Sequence, residues 1–133
     1  MHDMFLRVKG IAKKEDKYLV LKRWMDDRIP DPFEWEFIDG VVNPGEGPDD
    51  AMLRLVNETV GVSGRIERIL YTWSQMLGDT QCVGIAYLLS IEGDESQFVL
   101  PEELGEWEWI PRERFEYYIE NRNVLKNLES AQL

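Results

Sequence analysis

The opening of the chain alternates between polar and apolar residues. Arg7 and Lys9 fall between apolar or small neighbours, a polar stretch follows at 13–16, and an apolar run resumes at Tyr18. Alternation with a period of two predicts a half-buried strand, and a short polar break between two such runs predicts a hairpin. We therefore expect two strands to open the fold.

A helical period replaces this alternation after a Pro/Gly-rich turn at 43–48. Apolar and small side chains then recur three and four positions apart; they are Ala51, Met52, Leu55, Val56, Thr59 and Val60. Pro48 suits the first helical position, Asp49 and Asp50 suit the first turn, and Gly61 suits the stop. The pattern predicts one amphipathic helix over Pro48–Val60.

The rest of the chain predicts further strands, two more helices and one long loop. β-branched and aromatic residues predict strands at 34–38, 65–74, 82–91 and 107–110. Two prolines and three aspartates predict a surface loop at 25–32. Helices are expected from Pro111 through Tyr118 and over 124–131. Mixed strands with helices on both sides indicate an α/β fold in a single domain over 1–133.

Composition narrows the classes of partner. The formal net charge is −11 and Lys and Arg form no large cluster, which opposes binding to nucleic acid. No run approaches the roughly 18 apolar residues of a membrane span, and no leader opens the chain, so we expect a cytoplasmic protein without a membrane partner. Cys82 and His2 are each the only residue of their type. They predict neither a disulfide nor a zinc site, and Cys82 is expected to pack in the core.

Charged residues between Gly40 and Val62 are placed in the loop before the predicted helix and along one of its edges. Glu46 follows Gly40 after five residues, and Arg54 follows Glu46 after seven. At about 100° per residue, Arg54 and Glu58 lie one turn apart on one helix edge, which faces the loop before the helix. A cluster of carboxylates on such an edge would hold Mg²⁺ or Mn²⁺ against a diphosphate.

This segment resembles the signature of the Nudix (MutT-like) hydrolase superfamily. That signature is Gly, five residues, Glu, seven residues, Arg-Glu-apolar-any-Glu-Glu-any-Gly-apolar. Seven of its nine fixed positions match: Gly40, Glu46, Arg54, Val56, Glu58, Gly61 and Val62. The segments 35–37 and 103–111 also resemble the family. The resemblance implies a Nudix-type α/β/α sandwich, a mixed β-sheet flanked by helices. The signature segment 40–62, called the box below, would form a loop, a helix and a loop.

Two positions depart from the signature. Leu55 and Thr59 stand where the family has the first and last glutamates of the helix, so Glu58 is the only carboxylate of the trio that remains. A leucine can neither bind a cation nor accept a proton, and a threonine offers only a neutral oxygen. Tight binding of several metal ions at this edge is therefore not expected.

The resemblance also assigns roles to the remaining box residues. It implies that Gly40 offers its carbonyl oxygen to a metal ion and that Glu58 is the remaining carboxylate ligand. It further implies that Arg54 and Glu46 form an ion pair that orients the site, and for these two a structural role is favoured over direct catalysis. Simple exposure at the surface is the alternative for Glu58.

Three residues outside the helix complete the candidate set, each with a structural alternative. Asp39 and Glu103 are expected to replace part of the lost acids, yet Asp39 also suits a turn and Glu103 also suits a solvated acidic face. Asn121 resembles the family's base-reading asparagine, and a helix cap is its alternative role. Aromatic residues in predicted strands, including Trp73, are expected to be core.

The leading hypothesis is a Nudix hydrolase of a nucleotide-type diphosphate linked to another moiety, using Mg²⁺ or Mn²⁺ and water. The substrate would be a small molecule, and the resemblance implies a homodimer. A second hypothesis is an inactive Nudix-fold module that binds a nucleotide or a protein, because Leu55 and Thr59 lack the acids. A third hypothesis is an isomerase of prenyl diphosphates, for which a lone Cys82 in a predicted strand is a poor match.

Overall fold

Seven strands and three α-helices make up the part of the chain that the computed structural model describes, residues 3–23, 34–102 and 104–133. The strands are β1 (Asp3–Lys14), β2 (Lys17–Arg23), β3 (Trp35–Glu36), β4 (Ile38–Val41), β5 (Gly64–Leu77), β6 (Thr80–Ile91) and β7 (Leu104–Pro111). The helices are α1 (Pro48–Val60), α2 (Phe115–Tyr118) and α3 (Arg122–Ser130), with 3₁₀ turns at Glu95–Gln97 and Arg112–Arg114. Among the helices so described, none is long and apolar enough to cross a membrane. The predicted loop at 25–32 lies outside these ranges.

Strand β1 is the centre of the sheet. The strand order is β3-β2-β1-β6-β5, with β4 also paired to β1 and β7 to β2. β1 runs parallel to β6 from Asp3 to Ala12 and antiparallel to β4 and β2. The sheet is therefore mixed, and the predicted hairpin between β1 and β2 is confirmed, with its turn at Glu15.

The alternation of β1 supplies two separate cores. Val8 and Ala12 are fully buried in the first core, which α1 covers. Ile11 points the other way into a second core that contains Phe115 of α2 and Leu128 of α3. Successive strand residues point to opposite faces. One short stretch of sequence thus holds α1 on one face of the sheet and α2 and α3 on the other.

Helix α1 begins and ends where its sequence predicts. Pro48 occupies the first turn, and Gly61 ends the helix with φ +75°, donating its backbone N–H to the carbonyl of Asn57. Five residues of the predicted stripe are buried: Ala51, Met52, Leu55, Val56 and Val60. Thr59 is half-buried, so the apolar stripe ends before the edge that carries Arg54 and Glu58.

Two glycines let α1 lie close to the sheet. A Cβ added to Gly10 would lie 2.6 Å from Cε of Met52, and one added to Gly40 would lie 2.5 Å from Cδ2 of Leu55. Both distances are shorter than carbon atoms tolerate, so a side chain at either position would require the neighbouring side chains to move. The helix therefore contacts the sheet where Met52 and Leu55 pack against the backbone of Gly10 and Gly40.

Several element boundaries differ from the prediction. β5 and β6 are longer than expected and meet at a tight turn in which Gly78 has φ +65°. The predicted strand at 34–38 is divided at Phe37. The expected helical segment from Pro111 through Tyr118 is present but begins at Arg112: Pro111 ends β7 in an extended conformation, paired with Lys17, and a 3₁₀ turn and α2 follow it. A strand end tolerates proline because the missing N–H is not needed there. α3 begins at Arg122 because Asn121 caps it.

The helix stop at Gly61 gives a stability prediction. Gly61→Ala forces a side chain into the left-handed region, and the new Cβ would also lie 3.0 Å from Cβ of Val99. Gly45→Ala is a matched control, because Gly45 has φ +82° and open space around it. We expect Gly45→Ala to lower the free energy of unfolding by about 1 kcal/mol and Gly61→Ala by about 2–3 kcal/mol in urea titrations. Equal losses would show that the Val99 contact contributes nothing.

Candidate functional site

Arg54 joins the loop and the helix of the box. Its Nε and Nη2 donate to the two carboxylate oxygens of Glu46 at 2.8 and 3.0 Å, and Nη2 also donates to the backbone carbonyl of Val41 at 2.9 Å. Its Nη1 donates to Glu58 Oε2 at 3.2 Å. The hydrogen bonds that Glu46 accepts from Arg54 and from the backbone N–H of Asn43 lower the pKa of Glu46. The predicted ion pair is present, and Arg54 also holds Glu58.

Leu55 occupies the place beside Gly40 that the family signature gives to a glutamate. Its side chain is buried in the first core and packs on the backbone of Gly40. The neighbourhood of Gly40 on this face is therefore apolar. A carboxylate at position 55 would have to enter this core without a cationic partner, which is unfavourable unless the group becomes neutral.

The remaining donors suit one divalent cation and not a cluster. The Glu58 side chain is 58% exposed, so its carboxylate can reach solvent while it stays beside Arg54. Thr59 offers one neutral oxygen. Within the described residues, no group of three or more His, Cys, Asp or Glu side chains is placed to hold a metal ion. Mg²⁺ commonly uses one or two carboxylates together with waters and ligand phosphates, which is a donor set that Glu58 can join.

Asp39 lies on the opposite face of the sheet from Leu55. Its Oδ1 accepts from Nη2 of Arg7 at 2.6 Å, and its Oδ2 lies 3.2 Å from Nζ of Lys9. The carboxylate is only 16% exposed. Two cations therefore already neutralise Asp39, and this placement does not support the prediction that it binds a metal ion together with Glu58. Glu103, the other predicted substitute, lies outside the described residues.

A trough runs across this opposite face. Two rows of paired residues cross the sheet, Asp39, Lys9, Ala86 and Tyr71 in one row and Val41, Arg7, Gly84 and Trp73 in the other. Residues paired across strands share a face. Gly84 has no side chain and Ala86 has a small one, so little side-chain volume fills the middle of the trough. The indole of Trp73 lies directly over Gly84. Cations border the trough on one side and aromatic rings on the other.

Helix α3 covers this trough, and asparagine side chains line the space between them. A cavity of about 200 Å³ lies between the trough and the start of α3, where Asn121, Asn123 and Asn127 line it. A second cavity of about 170 Å³ continues from it and shares Lys9, Asp39, Asn121 and Val124. Asn121 Oδ1 caps α3 by accepting from the backbone N–H groups of Asn123 and Val124. The capping alternative for Asn121 is thus confirmed, and the residue also lines both cavities.

The electrostatics of the trough differ from those of the whole chain. Arg7 and Lys9 outnumber the single acid Asp39 in the first cavity, although the chain carries a net charge of −11. Lys9 Nζ also lies 5.4 Å from the centroid of the Trp73 ring, a cation–π contact. The lining therefore combines a small positive excess with an aromatic surface and neutral amides.

A larger cavity of about 620 Å³ lies between α2 and α3 and includes no residue of the box. Arg112 lines it, and its Nη2 donates to the carbonyls of Leu128, Glu129 and Ala131 at the end of α3. This guanidinium therefore caps a helix.

The interpretation of the sequence missed the trough. Arg7 and Lys9 lie two residues apart in the alternating strand, which was a sufficient signal that they share a face. Gly84 and Ala86 carry the same signal in β6. The pairing of these residues with Trp73 and Asp39 joins distant segments, and no local pattern reports it.

Comparison with known proteins identifies the class. The model of the NUDIX domain family matches residues 7–128. Because this match covers most of the chain, the protein belongs to the NUDIX domain family. None of the curated proteins that were compared matches it in sequence.

Solved structures agree with the chain in fold. The E. coli ORF135 protein superposes with a TM-score of 0.80 at 20% identity, over 97% of this chain and 89% of that one. The MutT protein from Methanosarcina mazei Go1 gives 0.79 at 20% identity, over 96% and 92%. An Ap4A hydrolase from C. elegans gives 0.71 at 18% identity, over 96% and 93%. The predicted α/β fold of Nudix type is confirmed.

The burial of Leu55 gives a second stability prediction. Leu55→Glu places a carboxylate in the first core, whereas Leu53→Glu adds the same group on the same helix at a residue that is 38% exposed. We expect Leu55→Glu to lower the free energy of unfolding by at least about 3 kcal/mol and Leu53→Glu by less than about 0.5 kcal/mol in urea titrations. Similar losses for the two variants would contradict the packing of Leu55 on Gly40.

Proposed function

We propose that this protein is a hydrolase of a small nucleotide-type compound that contains a diphosphate. The ligand's aromatic and sugar portion would occupy the trough, and its phosphates would lie at β4, next to the box. The observation that carries the proposal is the position of β4 between the two regions. Asp39 of β4 points into the trough, and the carbonyl of Val41 in the same strand accepts from Arg54 of the box.

The trough suits an anion that carries a planar ring. Lys9 and Arg7 supply positive charge, and the ring of Trp73 provides a surface for stacking. Amides along α3 provide donors and acceptors of the kind that read the edge of a base. Family membership supports the diphosphate, since the relatives include an Ap4A hydrolase and an ADP-ribose pyrophosphatase.

The box would orient the phosphates. Arg54 is anchored by Glu46 on the loop side, which fixes the position at which Glu58 is presented. Glu58 and the Gly40 carbonyl are the groups proposed to hold one hydrated Mg²⁺ or Mn²⁺. A bound divalent cation supplies charge neutralisation and polarisation of a phosphoryl oxygen. Arg54 and Glu46 thus act as positioning residues.

The proposed reaction breaks one phosphoanhydride bond. The oxygen of water forms a bond to phosphorus, the bridging oxygen leaves with its electron pair, and the proton of water passes to a carboxylate. Glu58 and Glu103 are the candidate acceptors of that proton. Lys9 and Arg7 would contribute to binding and to the local concentration of the anionic substrate.

Leu55 favours a second candidate function, a module that binds the same ligand without hydrolysing it. Leu55, whose side chain packs against Gly40, stands in place of one carboxylate of the box, and Thr59 stands in place of another. The trough and its charges are independent of both positions, so binding would survive the loss of catalysis. The two candidates differ only in turnover.

Turnover is measured with nucleoside triphosphates, sugar nucleotides and dinucleotide polyphosphates in the presence of Mg²⁺ or Mn²⁺. The hydrolase proposal expects release of a mononucleotide or orthophosphate, and a loss of about 100-fold or more in Glu58→Gln. Glu116→Gln is the matched control, since Glu116 is an exposed carboxylate on α2, and it should retain full activity. Wild-type turnover no higher than that of Glu58→Gln would refute the hydrolase. Ligand-induced thermal stabilisation without product would then support the binding module.

A second experiment restores the missing acids and so distinguishes the hydrolase from the binding module by a gain of activity. The binding module predicts that Leu55→Glu combined with Thr59→Glu creates turnover where the wild type has none. The hydrolase predicts turnover in the wild type, which the double change lowers because it disturbs the core. The control is Leu53→Glu combined with Thr59→Glu, which adds the same charge at an exposed position of α1. Urea unfolding of each variant separates lost activity from lost fold.

A further inference from the structure

Tyr71 has a polar group that the proposed function does not yet use. It lies in β5 beside Ala86 and lines the cavity of about 200 Å³ under α3. Its ring packs against the second core, and it lies 6.0 Å from the Trp73 ring. The side chain is therefore held in place by packing, without help from its hydroxyl.

The hydroxyl of Tyr71 is buried and has no hydrogen-bond partner among the described protein atoms. A buried polar group without a partner costs about 1–3 kcal/mol, so such groups are uncommon in folded proteins. The packing of the ring does not require this hydroxyl, since a phenylalanine would fill the same space. Within the part of the chain that the structure describes, no group accepts this hydrogen bond, which leaves the hydroxyl available to a ligand.

The hydroxyl is a donor at neutral pH. Burial, and then the charge of Asp39, raise the pKa of Tyr71 to about 12. Two other polar groups around the cavity already have partners: Lys9 pairs with Asp39, and the carbonyl oxygen of Asn121 caps α3. The Tyr71 side chain thus lines the cavity, and its hydroxyl is a neutral donor without an acceptor among the described residues.

We propose that Tyr71 is a specificity-determining residue, whose hydroxyl donates a hydrogen bond to an acceptor atom on the nucleoside part of the ligand. This inference rests on the proposed function, because it takes the trough as the nucleoside site. Ring nitrogens and carbonyl oxygens of a base are acceptors of suitable size and neutrality. Tyr71 would therefore read the nucleoside, while Arg54 and Glu58 act on the phosphates.

Tyr71→Phe tests the inference because it removes the hydroxyl and keeps the ring. The probes are ADP, GDP, CDP and UDP, with inorganic pyrophosphate as a ligand that has phosphates and no nucleoside. Calorimetric titration should show roughly tenfold weaker binding of the preferred nucleoside diphosphate, the effect of one hydrogen bond, and unchanged binding of pyrophosphate. Without ligand, the melting temperature should stay the same or rise, since an unpaired buried group is removed. Tyr117→Phe is the control, as that residue is 80% exposed.

Each other outcome is decisive. Equal affinity of wild type and Tyr71→Phe for every nucleoside diphosphate overturns the role of Tyr71 and leaves the proposed function intact. A lower melting temperature without ligand shows that the hydroxyl bonds within the protein, which also overturns it. Equal weakening of pyrophosphate shows a general disturbance of the site, with the same consequence. If the wild type binds none of the five probes, the proposed function fails and the inference fails with it.

Discussion

The close contact between α1 and the two glycines beneath it determines the geometry of the box. Met52 and Leu55 fill the space that side chains at Gly10 and Gly40 would occupy. Because protein interiors are packed about as densely as organic crystals, the helix cannot move away without opening voids, nor closer without clashes. Arg54 directly precedes Leu55, so this contact also fixes the guanidinium that joins Glu46 and Glu58.

The helix could be predicted in full and the strands only in part, for a physical reason. Pro48 and Gly61 act through their own backbone preferences, so the bounds of α1 are local information. The ends of β5 carry exposed residues such as Met76 and Leu77, and their pairing with β6 is what makes them a strand. Pro111 illustrates the same limit. Its favoured φ suits a helix start and a strand end equally, and pairing with Lys17 decides between them.

The same distinction between local information and long-range pairing applies to the candidate site. The proximity of Arg54 and Glu58 followed from their spacing of one helix turn, and the pair of Arg54 and Glu46 followed from the resemblance to the family signature. The ion pairs of Asp39 could not be predicted in this way. They depend on the register between β4 and β1, which brings Arg7 and Lys9 beside Asp39. For the same reason, a strongly acidic chain contains a trough with a positive excess. Net charge is a sum over all residues, whereas a ligand responds to the few that a fold assembles around it.

Strand β1 also limits how this protein can change over evolution. Arg7 and Lys9 face the trough while Val8 faces the core under α1, and neighbouring residues always take opposite faces. Deleting or inserting one residue here would exchange the two sets, so that charges enter the core and apolar groups enter the trough. Drift in β1 is therefore confined to substitutions. The exposed turn at Gly78, which has open space around it, is where changes in chain length can accumulate.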